Sequence, residues 1–573
     1  MSPALRRALG GLAGAAAMIA VITVVSRVLG FARWFVQASE VGPGTVGAAY
    51  NLANTLPNVL FEVAAGGALA GALIPVISGP LRRGDRAEVD RTASATLGWA
   101  LLVLLPIAAV LALVAEPLAA LLARLSEHPV PPELTRYFVL VFAVQIPLYG
   151  LGVVLAGVLQ AQRKFFWPAL APALSTSVVI VAYAMYGRLT EGHTDDLAAT
   201  SGSALAWLAW GTTAGVAAMS LPLLVPVLRS GVRLRPTLSF PPGVAARVRR
   251  LAFAGIGALL AQQGSVLVTL LLANARGATA TWTVFLYAQA VYLLPYAVLA
   301  VPLATSTFPR LAERAARPAR EGFAEMAALT TRTVVVVAGV GAAALVAAAP
   351  AAAAMFLSIT DVDPETVQAM SPTLTWMAPG LIGFALLFHV TRALYALEHG
   401  RAAVVAAALG WAAVAVASVT IAFVLVPAGD GPGVLVALGA GSSIGMVVAG
   451  VALLAALRRS AGAGALHGMP RTFVVLVAGA AVGALVGRWT TVAVLDVIGG
   501  GIVSAIGAAA GGAVLAVGVT AVAVVGFDRG TVRGVLALDR GAPPATVGGA
   551  APDGGPPQDD RPRQTDATGQ EKP

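Results

Sequence analysis

Five ionisable side chains interrupt long apolar segments of this sequence: Arg27, Arg33, Glu62, His389 and Arg392. A charge at bilayer depth is costly and marks a pathway or a binding site by default. Guanidinium presents a planar fork of donors that matches phosphate and carboxylate, so Arg27 and Arg33 have the chemistry to hold an anion. Glu62 is the one deep carboxylate, and Arg27 is its natural partner. The residues allow two arrangements. In one, Arg27–Glu62 is a structural ion pair joining adjacent helices and Arg33 reaches for the outer headgroups. In the other, a wet cationic cavity binds an anionic substrate. His389 and Arg392 share a helix face at i, i+3, a spacing that suits helix packing. Gln262, Gln263, Asn274 and Gln289 offer neutral polar contacts in the second half of the chain.

Catalytic chemistry has less to stand on. The chain has no cysteine, and its five histidines give no pair at zinc-ligand spacing on one helix. The acids Glu191, Asp195, Asp196, Asp361, Asp363 and Glu365 lie in short loops without a matching partner set. There is no P-loop, so the chain is not expected to hydrolyse ATP. The expectation is a non-enzymatic protein without cofactor or metal, with any transport driven by gradients or by the membrane potential.

The elements that must position these residues are membrane spans. Of 573 residues, 58% are hydrophobic and 11% charged, and mean hydropathy is +0.84; soluble domains carry about 25% charged residues. A span needs about 20 apolar residues. Fourteen stretches qualify, near 12–37, 46–78, 94–123, 134–161, 166–187, 203–228, 251–275, 282–309, 328–357, 373–397, 402–427, 433–457, 472–494 and 498–526. Arg6 and Arg7 before the first stretch resemble a secretory signal, but the run continues through Arg33 and reads as an uncleaved span. Counting from Leu12, Arg27 lies roughly 22 Å along the first span and Arg33 about 9 Å further. The two are about 120° apart around the helix unless Gly30 bends it.

Orientation follows from the loop charges. With the N-terminus inside, inner segments before the tail hold 23 Lys and Arg, including Arg82, Arg83, Arg163, Lys164, Arg229 and Arg401, whereas the opposite side holds Arg124, Arg136, Arg188, Arg276 and Arg488. Both termini are therefore expected in the cytoplasm. The net charge of +10 is then a topology signal and not a nucleic-acid footprint, since aromatic interleaving is lacking. The composition changes after Phe527, and residues 528–573 are expected to form a disordered cytoplasmic tail.

Leu56–Pro57 recurs as Leu294–Pro295 at an offset of 238, and Val158-Leu159-Gln160 recurs at the same offset as Ala396-Leu397-Glu398. Spans 1–6 and 7–12 are therefore expected to be parallel repeats, as in many transporters. The expected architecture is an all-α integral membrane protein of 14 helices: a first lobe over 1–230, a second over 231–460, and two further spans over 461–527.

The string Ser26-Arg27-Val28-Leu29-Gly30-Phe31-Ala32-Arg33, then Leu56-Pro57-Asn58, Gly67-Ala68 and Ile74-Pro75, resembles the MurJ (MviN) family. Gln160-Ala161-Gln162-Arg163-Lys164-Phe165 with Pro168 and Pro172, Phe308-Pro309 and Arg392-x-x-Tyr395 also fit, over about residues 10–460. This resemblance implies a lipid II flippase of the bacterial plasma membrane. Its two six-helix lobes would alternate between inward- and outward-open states, with a lipid-tail groove in spans 13–14. The implied cargo is an undecaprenyl-pyrophosphate-linked disaccharide-pentapeptide for peptidoglycan. Arg27 and Arg33 carry over directly, and Ser26, Asn58 and Glu62 complete the candidate substrate-binding set. Well-studied members have an acid where Ala48 stands, an arginine where Glu62 stands, an acid at Gly66 and an arginine at Ala290. Those departures leave room for an exporter of another polyprenyl-linked glycan or amphiphile; the alternative from a different class is a non-transporting scaffold for cell-wall enzymes, with the tail for docking.

Overall fold

Backbone polar groups crossing a bilayer must be satisfied within their own segment, so apolar runs of this length form helices. The computed structural model describes residues 3–193, 197, 200–235, 237–253, 256–317, 320–360 and 363–539, and all regular structure among them is helical. The chain begins with α1 (Pro3–Glu40), α2 (Thr45–Phe61), a π-helical turn (Glu62–Gly66) and α3 (Gly67–Arg83). There follow α4 (Arg86–Leu113), α5 (Ala115–Leu125), α6 (Pro132–Ala143), α7 (Gln145–Ala161), α8 (Phe166–Leu189), α9 (Gly202–Ser220) and α10 (Leu224–Arg229). The second half has α11 (Val244–Phe253), α12 (Ile256–Arg276), α13 (Thr281–Pro295), a second π-helical turn (Tyr296–Ala300) and α14 (Val301–Ala315). Then come α15 (Phe323–Leu357), α16 (Pro364–Gln368), α17 (Met370–Met377), α18 (Gly380–Ala396), α19 (Gly400–Val424) and α20 (Gly431–Ala461). The chain closes with α21 (Met469–Ile498), α22 (Ile502–Phe527) and α23 (Arg529–Asp539).

Among the described residues, eleven helical runs are long and apolar enough to cross a membrane. They become twelve when Pro364–Met377 and Gly380–Ala396, bent by 54°, count as one. The number fourteen is not reached by that count, although α1 and the α2–α3 run stand where the first two spans are expected. Disorder does not begin at residue 528. Asp528 is buried and accepts hydrogen bonds from Thr472 Oγ1 at 2.6 Å and Thr531 Oγ1 at 2.8 Å, which anchors the start of α23 to α21. Residues 540–573 lie outside the described residues, as do Asp195, Asp196 and Asp361.

The apolar core divides. One cluster draws on residues from Val41 to Val232 and centres on Tyr50, whose ring meets Phe138, Phe142 and Tyr183 edge-on at 5.4–5.8 Å. Its buried hydroxyl is satisfied by Tyr183 at 2.9 Å and Thr212 at 3.0 Å. A second cluster is built from residue 270 onward, with Ala38, Leu52 and Leu122 reaching into it from the first half. Between the two, Asp90 and Ser94 on α4 accept the amides of Arg233 and Arg235 at 3.0 and 2.9 Å, so the connecting segment runs back along α4. Gly98 makes that close pass possible, because a Cβ there would collide with the Thr237 carbonyl.

The two π-helical turns fall in corresponding helices. Each comes at or shortly after a proline, Pro57 or Pro295. Proline lacks the amide hydrogen and its ring crowds the carbonyl one turn back, which favours a local widening of the helix. Each turn opens on a polar residue, Glu62 in the first half and Tyr296 in the second.

Direct hydrogen bonds between the two halves cluster on one face, where α1 ends and α2 begins. Asn51 Nδ2 donates to Thr283 Oγ1 at 3.1 Å, Trp282 Nε1 to Thr55 Oγ1 at 3.3 Å, and Asn274 Nδ2 to the Leu122 carbonyl at 2.8 Å. Gln37 Nε2 braces Asn51 Oδ1 at 3.0 Å. These hydrogen bonds seal the halves on the face opposite the start of α1, while α11 packs on α3 elsewhere between them. The helices α21 and α22 pack on each other and on α15 through small residues. Gly487 faces the Gly512 carbonyl and Gly479 the Ala523 methyl, the kind of close approach that drives helix association in lipid.

Candidate functional site

Helix α1 runs unbroken through Ser26–Arg33, so Arg27 and Arg33 leave it in different directions. Arg33 comes within electrostatic reach of Tyr149 and Tyr50 in the first half. Its guanidinium lies over the Trp34 ring at 4.5 Å, and Trp34 meets Tyr287 of the second half edge-on at 6.0 Å. Arg33 is therefore braced at the sealed seam. Arg27 is exposed, and it is in electrostatic reach of Tyr296 across the gap between the halves. Gly30, between them, faces open space: a Cβ there would meet nothing within 4 Å.

Glu62 does not pair with Arg27. The ion pairs among the described residues are Arg83–Glu88, Arg136–Glu116 and Arg317–Glu313, all near helix ends. Arg27 is exposed, whereas Glu62 heads the widened turn of its own run and is half-buried. Asn58 Nδ2 donates to the Asn54 carbonyl at 2.8 Å, one turn back. Ser26 Oγ and Asn54 Oδ1 are buried and lack a protein partner. The site then consists of one exposed guanidinium, a second stacked on Trp34, one half-buried carboxylate and several amide and hydroxyl groups. It suits recognition of an anion with a polar body.

One cation escaped the sequence pattern. Arg392 shares a face with His389, and spacing alone assigns both to packing. His389 is indeed buried, with Nε2 unpartnered. Arg392 is not consumed in that way. Its guanidinium lies 3.7 Å above the Phe388 ring, donates to Thr305 Oγ1 at 3.3 Å, and is in electrostatic reach of Tyr296. Tyr296 is thus within electrostatic reach of both Arg27 of the first half and Arg392 of the second. Following the helices, Arg33 is nearest the sealed face, Arg27 about 9 Å below it, and Arg392 close to the end of α18 on the other face. Phe388 four residues before Arg392 was the available signal, because that spacing stacks a ring beneath the guanidinium. Asn274 is a correction of a different kind, as it ties the sealed face together and does not line the gap.

A family model described as lipid II flippase MurJ matches residues 37–499. The match starts inside α1, so Arg27 and Arg33 lie just before it. A probable lipid II flippase MurJ of Rhizobium meliloti is 26% identical over 301 residues, 51% of this chain and 53% of that protein. The corresponding protein of Synechocystis is 32% identical over 241 residues, 41% of this chain and 43% of that protein. The chain thus spans about half the length of these curated relatives. Among solved structures, a lipid II flippase MurJ in an inward closed conformation superposes with a TM-score of 0.63 at 17% identity, covering 84% of this chain and 99% of that one. An inward-facing multidrug transporter of the MATE family gives 0.62 at 16% identity, covering 78% and 98%. At those identities the superpositions establish the fold, whereas the family model, covering most of the sequence, establishes the kinship. This chain is a multi-span helical membrane protein, and it belongs to the MurJ family.

Proposed function

We propose that this protein is a lipid II flippase, moving the undecaprenyl-pyrophosphate-linked disaccharide-pentapeptide from the inner to the outer leaflet of the plasma membrane by alternating access. The observation that carries this reading is the set Arg392, Arg27 and Arg33, three guanidiniums at successive depths along α18 and α1, in two helical halves joined beyond the end of α1 by hydrogen bonds. Guanidinium forks match the oxygens of a pyrophosphate; Arg33 and Arg392 stack on aromatic rings, and none of the three arginines pairs with a carboxylate among the described residues. The loop charges support a cytoplasmic start of α1 and a cytoplasmic C-terminus, which makes the sealed face the outer one. Lobes over 1–230 and 231–460 agree with the division of the apolar core, and the exposed apolar flank of α21 and α22 (461–527), including Val474, Leu485 and Val514, suits a polyprenyl chain.

The test is complementation. In a bacterium depleted of its own flippase, Arg27→Ala and Arg33→Ala are expected to abolish rescue while reaching the membrane at wild-type levels. Full rescue by both would remove the assigned site. A second cargo, another polyprenyl-linked glycan, is favoured by one feature, the acid Glu62 and the neutral Ala48, Gly66 and Ala290 at positions where well-studied members differ.

A further inference from the structure

A cleft separate from the arginine row opens at the ends of α7 and α10 and the start of α8. Its volume is about 440 Å³, and it is lined by Arg163, Lys164, Phe165, Trp167 and Arg229, with Met18 of α1 closing one side. Three features mark it as built. Arg163 adopts a left-handed backbone conformation, φ 62°, which costs a non-glycine residue energy and here turns the chain sharply between α7 and α8. The turn is held by the Arg163 amide on the Gln160 carbonyl at 2.9 Å and the Lys164 amide on the Leu159 carbonyl at 2.8 Å. Gln162 Nε2 then donates to Ser230 Oγ at 2.9 Å, fixing the turn against the end of α10 and bringing Arg229 to the same cleft.

None of Arg163, Lys164 and Arg229 has a carboxylate partner among the described residues, although ion pairs form at other helix ends. Three uncompensated cations therefore face one hollow, next to exposed Phe165 and Phe166. Aromatic rings beside basic residues at a span end are what the headgroup layer of a bilayer selects. We propose that this cleft binds the phosphodiester headgroup of an anionic glycerophospholipid, with its acyl chains running along Met18 and Val225. A phosphoglycerol group matches this cleft in size and charge, and the cleft lies apart from Arg27, Arg33 and Arg392, so the proposed occupant is a membrane lipid and not the proposed cargo. The site would tie the first-half bundle to the anionic leaflet on the face where α1 begins.

The full chain in vesicles of phosphatidylcholine doped with a photo-crosslinking phosphatidylglycerol tests this, with a photo-crosslinking phosphatidylcholine as the parallel probe. Peptides containing residues 163–167 and 225–229 are expected to be labelled preferentially by the anionic probe. The triple variant Arg163→Gln, Lys164→Gln, Arg229→Gln should lose that preference by roughly ten-fold or more, given about a five-fold contribution per basic residue near an anionic surface. Arg163→Lys with Arg229→Lys should keep most of it, which controls for folding. Equal labelling by the two probes, or a preference untouched in the triple Gln variant, would overturn the proposal and leave the cations as topology determinants. Neither outcome depends on which cargo the central row of arginines carries.

Discussion

Arg27 and Arg33 sit on one helix in different surroundings, Arg27 exposed and Arg33 stacked, and the difference sets what each substitution should do. Arg33 is stacked on Trp34 at the seam, so Arg33→Lys should fail where Arg27→Lys retains partial rescue, because lysine keeps the charge but not the planar stacking. Complementation with membrane levels monitored checks this, and equal rescue by the two lysine variants would contradict it. Glu62 supplies a second expectation. Removing one member of a buried ion pair costs about 3–5 kcal/mol, but Glu62 has no such partner here. Glu62→Gln should therefore change thermal stability by no more than about 1 kcal/mol, and a loss on the larger scale would restore the pair. At this scale the sequence exposes which residues are out of place in lipid. It does not expose where they point, which is why Arg27–Glu62 reads as a pair and Arg392 as packing: side-chain direction depends on the neighbouring helix, and no spacing rule within one helix contains it.

The helices show how a seal between halves can be firm and still release. The seam network of Gln37, Asn51, Thr55, Thr283 and Trp282 is made of neutral hydrogen bonds, each worth about 0.5–1.5 kcal/mol net, and contains no ion pair. Asn51→Ala with Thr283→Ala should shift the population toward a state open at that seam by roughly ten-fold. The chain has no cysteine of its own, so spin labels introduced across the seam report the separation cleanly; an unchanged distance distribution would show that the network is not the latch. The small-residue contact of α21 with α22 is close enough that Gly487→Val should destabilise this pair by about 1–3 kcal/mol through overpacking, read as a lowered unfolding temperature. Element type and order were legible from apolar run lengths, and the repeated Leu-Pro pair marked the two helices that carry π-helical turns. The turns themselves were not legible, since a proline permits several local relaxations and tertiary packing selects among them.

For the whole molecule, composition and loop charge are enough to reveal a multi-span helical bundle, because 11% charged residues cannot cover a soluble surface. The end of the folded part is placed less well by composition. A polar, Gly- and Pro-bearing stretch reads as tail from residue 528, yet Asp528 is held by two threonine hydroxyls and Arg471 donates to the Phe527 carbonyl at 2.8 Å. Truncation after Asp539 should therefore spare rescue, while truncation after Phe527 should lower the amount of protein in the membrane; equal behaviour of the two would show that α23 contributes nothing. The central claim concerns cargo and is tested most directly in vesicles containing the purified full chain and either lipid II or another polyprenyl-pyrophosphate glycan, with the exposure of the headgroup on the far leaflet followed over time. Lipid II is expected to cross with the wild-type chain, and the Arg27→Ala, Arg33→Ala double variant to be slower by at least about ten-fold, the loss expected for one or two charge-assisted contacts. Transfer of the other glycan without lipid II, or transfer of lipid II undiminished in the double variant, would contradict it.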